Sequence, residues 1–516
     1  MIKKIYQIIS FVLILLAATP KIAKADKTID VTKYGVVADT NVVNTSAIQK
    51  LIDKYSKEGG AILYFPAGQY VSGTILLKDN ITLQLSEKAE LLGSKNIADY
   101  QIVDAFKTGN GALMGYCFVG AVDATNVGIT GEGTINGRGK DVLISGGRGK
   151  RPFLIRFVRS KKVVLNGIKL LNSTAWTAHF FACQGVDIAG VTLKSKGLGN
   201  NDGFDIDCSQ DVNISNCDID TGDDAICFKT TWSKMACKNI TIKDIRITSN
   251  HAGIKFGTES MAPFENIKIS DIYIYDTRNG GIKILSVDGA QIRNIDISNI
   301  VMNNVRTPIL VRLGSRLNVF RKDTDTQQAT GVIENVTIRN VKAKAAFPAQ
   351  LNPPTGVLIT GVPNHTITNL TLDNVEITLA GRGTVANSRH QVPEAENKYP
   401  EVSTFGPTIP AYGIWARHVA GLTLNRIKFT LDSSDMRPAI IVEDGKDIKI
   451  TNADLPTFRD MEAVIRLEEV ESASISNIRS EGQAKALVRV EGNTDAKISV
   501  ANNKIKGIKK ELETIK

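Results

Sequence analysis

Aromatic residues are scarce in this chain: three tryptophans, and only 6% of the 516 residues aromatic in all. No run of basic residues is interleaved with those few rings, so the formal charge of +10 does not read as a nucleic-acid surface. No CxxC spacing occurs among Cys117, Cys183, Cys208, Cys217, Cys227 and Cys237, which removes the usual zinc signature. Four of the six sit in apolar, strand-like contexts such as Ala225-Ile226-Cys227-Phe228, where cysteine serves as a small buried hydrophobe. Free, buried thiols are therefore expected. No trimerising coiled coil, translocator barrel or low-complexity stalk is present, features that a surface fibre would carry.

No long apolar run occurs either. The longest, Ile8 to Ala18, is too short to span a bilayer comfortably. It follows the basic start Met1-Ile2-Lys3-Lys4 and precedes Ala23-Lys24-Ala25, the arrangement of an export signal over residues 1–25. No cysteine lies near the cut, which argues against a lipid anchor there. Cleavage removes Lys3, Lys4, Lys21 and Lys24, leaving a modestly basic chain suited to an anionic polymer or simply to solubility. A periplasmic or extracellular location is expected.

The chain beyond the signal carries one dominant pattern. Asn44-Thr45-Ser46 caps a helical stretch that ends at Gly59-Gly60, and strand, turn and strand follow around Pro66-Ala67-Gly68. Then Val163-Val164-Leu165-Asn166, Val186-Asp187-Ile188-Ala189, Val212-Asn213-Ile214-Ser215, Ile240-Thr241-Ile242-Lys243, Ile267-Lys268-Ile269-Ser270 and Ile295-Asp296-Ile297-Ser298 recur every 23 to 28 residues. Further copies start at Val336, Leu370, Leu422, Ile448, Ala473 and Ala496. Apolar residues alternate at a period of two, and a polar turn often carrying Asn separates the paired strands.

A period in the twenties without helices predicts a solenoid of stacked strands, a single-domain, all-β parallel β-helix. The helix near 45–57 would cap its open end. The expected layout is cap and first coils over 26–110 and the catalytic coils over 111–516. A long loop about 380–414, rich in Pro, Gly and charge, is expected to border a binding groove. A monomer is the default for a capped solenoid.

Chemistry gathers in the middle. Asp202-Gly203-Phe204-Asp205, Asp223-Asp224-Ala225-Ile226, His251-Ala252-Gly253-Ile254 and Asn279-Gly280-Gly281-Ile282 have a common local shape. Matching their apolar positions aligns Asp202, Asp223, His251 and Asn279 on successive rungs roughly 4.8 Å apart, with Lys255 and Lys283 close by. Carboxylates this close split their pKa values, and the lysines lower some of them. One protonated acid and one carboxylate is what hydrolysis of a sugar acetal needs. The same acids, with Asp205 and Asp207, could instead hold calcium in a polysaccharide lyase. A non-enzymatic glycan-binding fibre is the third reading. Asp187, Asp211, Asp244 and Asp296 read as structural turn residues. His179, near Trp176, reads equally as a sugar-stacking wall or as packing.

At these residues the chain resembles glycoside hydrolase family 28, the polygalacturonases and rhamnogalacturonan hydrolases, over about residues 30 to 480. Asn200-Asn201-Asp202 stands for the family's Asn-Thr-Asp, Gly222-Asp223-Asp224 is intact, His251-Ala252-Gly253 stands for His-Gly, and Gly281-Ile282-Lys283 for Arg-Ile-Lys. The run Gly257-Thr258-Glu259-Ser260 is similar to the bacterial, often exo-acting, branch. The resemblance implies a right-handed coil and inverting hydrolysis of an acidic plant-type polysaccharide, with no cofactor and no metal. It implies Asp223 as general acid, Asp202 and Asp224 on the water, and His251 as tuner of the acid or substrate ligand. Asn200, Lys255 and Lys283 would bind substrate, Lys283 through a galacturonate carboxylate beside the scissile bond. Gly281 removes the planar fork that suits a carboxylate best, and Arg278 or Arg312 on nearby turns are candidates to restore it. Rhamnogalacturonan is thus as open as galacturonan.

Overall fold

The computed structural model describes residues 27–108, 111–493 and 495–515; the expected signal over 1–25 lies outside them. Apart from a two-stranded pair near the C-terminus, the strands join one continuous, almost wholly parallel sheet. The chain is a right-handed parallel β-helix. Helix α1 (Thr45–Lys57) buries Ile48, Leu51, Ile52 and Tyr55 against the first coils and closes the N-terminal end. Its apolar positions fall on one face at helical spacing, and Gly59 and Gly60 follow its end. Among the described residues no helix is long and apolar enough to cross a membrane.

The period-two pattern places one side chain in two inside the coil. Ile214, Ile242, Ile269, Ile297, Ile338 and Leu372 are partners in register on six successive rungs, all buried. Fully burying each contributes about 1.5–3 kcal/mol. The recurring Asn has a separate cause. Asn239, Asn266, Asn294, Asn299 and Asn340 all occupy left-handed backbone, with φ between 54° and 58°. That conformation turns the corner between faces, and Asn tolerates it better than most residues. Their side chains then stack: the Asn266 Nδ2 donates to Asn239 Oδ1 at 3.3 Å, and Asn294 Nδ2 to Asn266 Oδ1 at 3.1 Å. Asp211 and Asp244 take the same backbone conformation at their own corners.

Several features depart from the sequence pattern. The last copy pairs Ala473 with Ile498, not with Ala496. A helix α2 (Gly139–Gly146) and an antiparallel hairpin of Gln101–Lys107 with Leu113–Val122 interrupt the parallel winding. An insertion after Leu313 folds back on the coil, where Arg316 pairs with Asp288 and the Arg321 guanidinium lies 3.0 Å from Asp104. All six cysteines are free and buried.

The asparagine corners are expected to carry measurable stability. Asn266→Ala removes two ladder bonds while leaving a Cβ at a left-handed position, and should cost about 1–2 kcal/mol. Asn266→Gly should lose less, because glycine relieves the backbone. Urea midpoints of the two variants check the ordering.

Candidate active site

Four parallel strands build the floor of a cleft: β1 (Ala178–Phe181), β2 (Phe204–Asp207), β3 (Ile226–Thr230) and β4 (Ala252–Ser260). A fifth rung, β5 (Gly280–Ser286), continues it. Phe204 pairs with Ile226, and Ile226 with Ile254. This register brings Asp202 beside Asp224, while Asp223 falls in line with His251 and Asn279. The sequence alignment of Asp202 with Asp223 is therefore off by one residue. The cause is the turn before β3: Gly203 N donates to Asp224 O at 2.9 Å, so Asp223 stands one position outside the strand. All three carboxylates nevertheless line one cleft of about 380 Å³, together with Asn200, His251 and Lys255.

Lys255 and His251 dominate the electrostatics. The Lys255 Nζ lies 2.6 Å from Asp224 Oδ2, and both groups are buried. The His251 Nδ1 donates to Asp224 Oδ1 at 2.8 Å and lies 3.6 Å from Asp223 Oδ1. Burial opposes the charge of Asp224, but Lys255 and His251 outweigh it and hold this carboxyl well below the usual range. Asp223 moves the other way: burial and the neighbouring Asp224 charge raise it, against the pull of His251 and Lys255. Burial, with Asp205 and Asp223 beside it, pushes Asp202 well above the ordinary value. The two members of one Asp-Asp pair are thus driven apart.

A second lysine balances the remaining acids. Lys229 Nζ lies 3.3 Å from Glu259, 3.5 Å from Asp205 and 3.7 Å from Asp202, and 4.3 Å from the centre of the Trp176 ring. Ammonium groups therefore already pair with Asp202, Asp205 and Asp224, acids that a calcium site would draw on. Asp207 is equally committed, accepting from Thr231 N and Thr231 Oγ1 and facing His179. His179 is packing, fully buried and stacked on Phe153, and burial lowers its pKa to about 4.

On the far side, Asn279 Nδ2 lies 2.6 Å from His251 Nε2, and its Oδ1 accepts from Lys283 Nζ at 2.6 Å. Lys283 thereby fixes the amide's orientation, and the amide leaves the proton of His251 on Nδ1, toward Asp224. Lys283 itself is fully buried and pairs with Glu401 at 2.9 Å. Glu401 and Tyr399 reach the cleft from the segment between Leu379 and Ile414, the predicted long loop.

The predicted replacements for the missing Arg do not serve. Arg278 is exposed beside Asp276, Arg306 and Phe347 in a different hollow. Arg312 is buried, donating to Glu394 O, Ala395 O and Thr360 Oγ1 and covering the Phe405 ring, so it anchors the loop. Nor does Gly281 leave room for a side chain: a Cβ there would lie 2.5 Å from Met302 Sδ and 2.7 Å from Pro308 O. The guanidinium in the cleft is Arg151, which donates to Gly199 O at 2.8 Å and Asn200 Oδ1 at 2.9 Å. Sequence reasoning missed Arg151, Lys229, Tyr399 and Glu401. Lys229 was within reach, because it follows Cys227 by two positions and so shares its outward face.

The model for glycosyl hydrolases family 28 matches residues 65–397. The chain belongs to this family. A probable polygalacturonase of Vitis vinifera is 27% identical over 373 residues, 68% of this chain and 74% of that protein. An endo-polygalacturonase of Pectobacterium carotovorum subsp. carotovorum is 28% identical over 346 residues, 58% of this chain and 83% of that protein. The solved family 28 exopolygalacturonase of Yersinia enterocolitica superposes with a TM-score of 0.66 at 19% identity, covering 82% of this chain and 78% of that one. The family 28 chain described here is accordingly a glycoside hydrolase, with Asp202, Asp223 and Asp224 inside the matched segment.

The ion pair of Lys255 with Asp224 should be visible in stability. Lys255→Met leaves a buried carboxylate with only His251 opposite, and should lower the unfolding free energy by about 3–5 kcal/mol. Adding Asp224→Asn should recover much of that loss, a coupling that a double-mutant cycle in urea reads directly.

Proposed function

We propose that this protein is an exported hydrolase that cuts a glycosidic bond in a pectin-type acidic polysaccharide, galacturonan or rhamnogalacturonan, with inversion at the anomeric carbon. The observation that carries the reading is the split within the Asp223-Asp224 pair. Lys255 and His251 keep Asp224 ionised, and that charge, with burial, favours the proton on Asp223. Asp223 is then the general acid, passing its proton to the leaving glycosidic oxygen as the bond to the anomeric carbon breaks. A water held between Asp202 and Asp224 adds to that carbon from the opposite face and gives one proton to this pair of acids. Of these two, Asp224 is the one its surroundings keep ionised and so able to take the proton, while Asp202, raised toward its protonated form, helps to orient the water. His251 holds Asp224 and adjusts Asp223.

The polygalacturonase relatives support an acidic glycan, and Arg151 supplies a guanidinium at the cleft wall for a uronate carboxylate. Tyr399, half-buried at the cleft, offers a ring to a sugar face. The basic, apolar N-terminal stretch supports export.

Proton NMR of the first-formed product should show the anomer opposite to that of the cleaved bond. Retention of configuration would contradict the assignment. Asp223→Asn should reduce kcat by about 10²–10⁴-fold or more with the fold unchanged. Wild-type activity should survive a chelator and fall as pH rises through the elevated pKa of Asp223, because the acid must be protonated. An ultraviolet-absorbing, chelator-sensitive product would indicate a lyase instead.

A further inference from the structure

Three lysines stand at or just behind the cleft floor, and each already has a protein carboxylate. Lys229 faces Asp202, Asp205 and Glu259; Lys255 faces Asp224; Lys283 faces Glu401. Glu401 differs from the rest. It belongs to no rung of the helix and is delivered by the long loop, just beyond the segment that the family model matches. Its Oε2 accepts from Asn279 Nδ2 at 2.7 Å and from Lys283 Nζ at 2.9 Å, and its Oε1 lies 3.7 Å from His251 Nε2. An amide and an ammonium converging on one point form a carboxylate-binding nest, and here the chain fills it with its own carboxylate.

We infer that Glu401 stands in for a substrate carboxylate, so that the sugar residue bound on the Asn279 side of the scissile bond is uncharged. This rests on the hydrolase reading of the cleft. A uronate placed there would set its charge against Glu401, with Lys283 already engaged by Glu401 and the nearby Lys255 already paired with Asp224. A neutral sugar meets no such conflict, because its hydroxyls donate to a carboxylate. The opposite side of the acids has the reverse character. Arg151 reaches the Asn200 coil, three rungs before Asn279, and its two acceptors are a carbonyl and an amide oxygen, neither a carboxylate. A uronate is favoured there. The cleft thus fits a backbone in which acidic and neutral sugars adjoin, better than a homopolymer of uronate.

Two oligosaccharides of equal length, one all uronate and one alternating uronate with neutral sugar, are compared on the wild-type protein and on Glu401→Gln. The glutamine keeps the size of the side chain and releases the Lys283 ammonium. The wild type should favour the alternating chain in kcat/KM by about tenfold or more, and Glu401→Gln should shift that ratio toward the uronate chain by a similar factor. Binding to the inactive Asp223→Asn protein, with and without Glu401→Gln, should show the same shift in Kd. A wild type that prefers the uronate chain, or a ratio that Glu401→Gln leaves unchanged, overturns the role of Glu401 while leaving the hydrolase intact. Failure to cleave either chain, together with no binding of either, overturns the hydrolase reading and this inference with it.

Discussion

The buried contact between Lys255 and Asp224 is the interaction on which the site depends. An isolated carboxylate at that depth would take up a proton, and the Asp-Asp pair would then hold two neutral acids with nothing to activate water. With the ammonium 2.6 Å away, Asp224 is held toward its charged form, and its charge is one of the reasons Asp223 is shifted the opposite way. The imidazole of His251 is bound into the same circuit. Lys283 orients Asn279, Asn279 receives the Nε2 side of the ring, and the remaining N–H is left for Asp224.

The solenoid makes that circuit possible because it repeats a face. Every residue that points outward on one rung has neighbours a strand spacing away on the next, and the rungs are locked by an isoleucine interior and by asparagine corners. Asp205, Cys227, Lys255 and Lys283 form one such outward column by register. Acids and lysines can be interleaved along it and buried together, which costs far less than burying either sign alone. The loop then adds what a repeat cannot supply. Tyr399 and Glu401 come from outside the coil and close the side of the cleft that the rungs leave open.

This division explains how much was legible in the sequence. The coil, the N-terminal helix and the three acids with His251 follow from spacing and local pattern, since neighbours in a solenoid are separated by one period. The register of Asp202 was misjudged by one residue because the turn before Ile226 sets the offset through backbone hydrogen bonds, which composition does not reveal. Arg278 and Arg312 were reasonable by proximity along the chain, but exposure carries one away from the cleft and burial ties the other to the loop. The missing Arg at Gly281 could not be interpreted without the interior contact at Met302. Arg151 and Glu401 approach from irregular segments with no period to read, and they could only be placed in three dimensions.

The central claim is that one carboxyl of the Asp223-Asp224 pair is protonated and the other ionised in the resting enzyme. Infrared difference spectroscopy at about pH 6, where unperturbed aspartates are ionised, tests it most directly. Subtracting the spectrum of Asp223→Asn from that of the wild type should reveal a protonated carboxyl stretch, and subtracting that of Asp224→Asn should reveal a carboxylate. The reverse assignment, or carboxylate bands in both differences, would contradict the account.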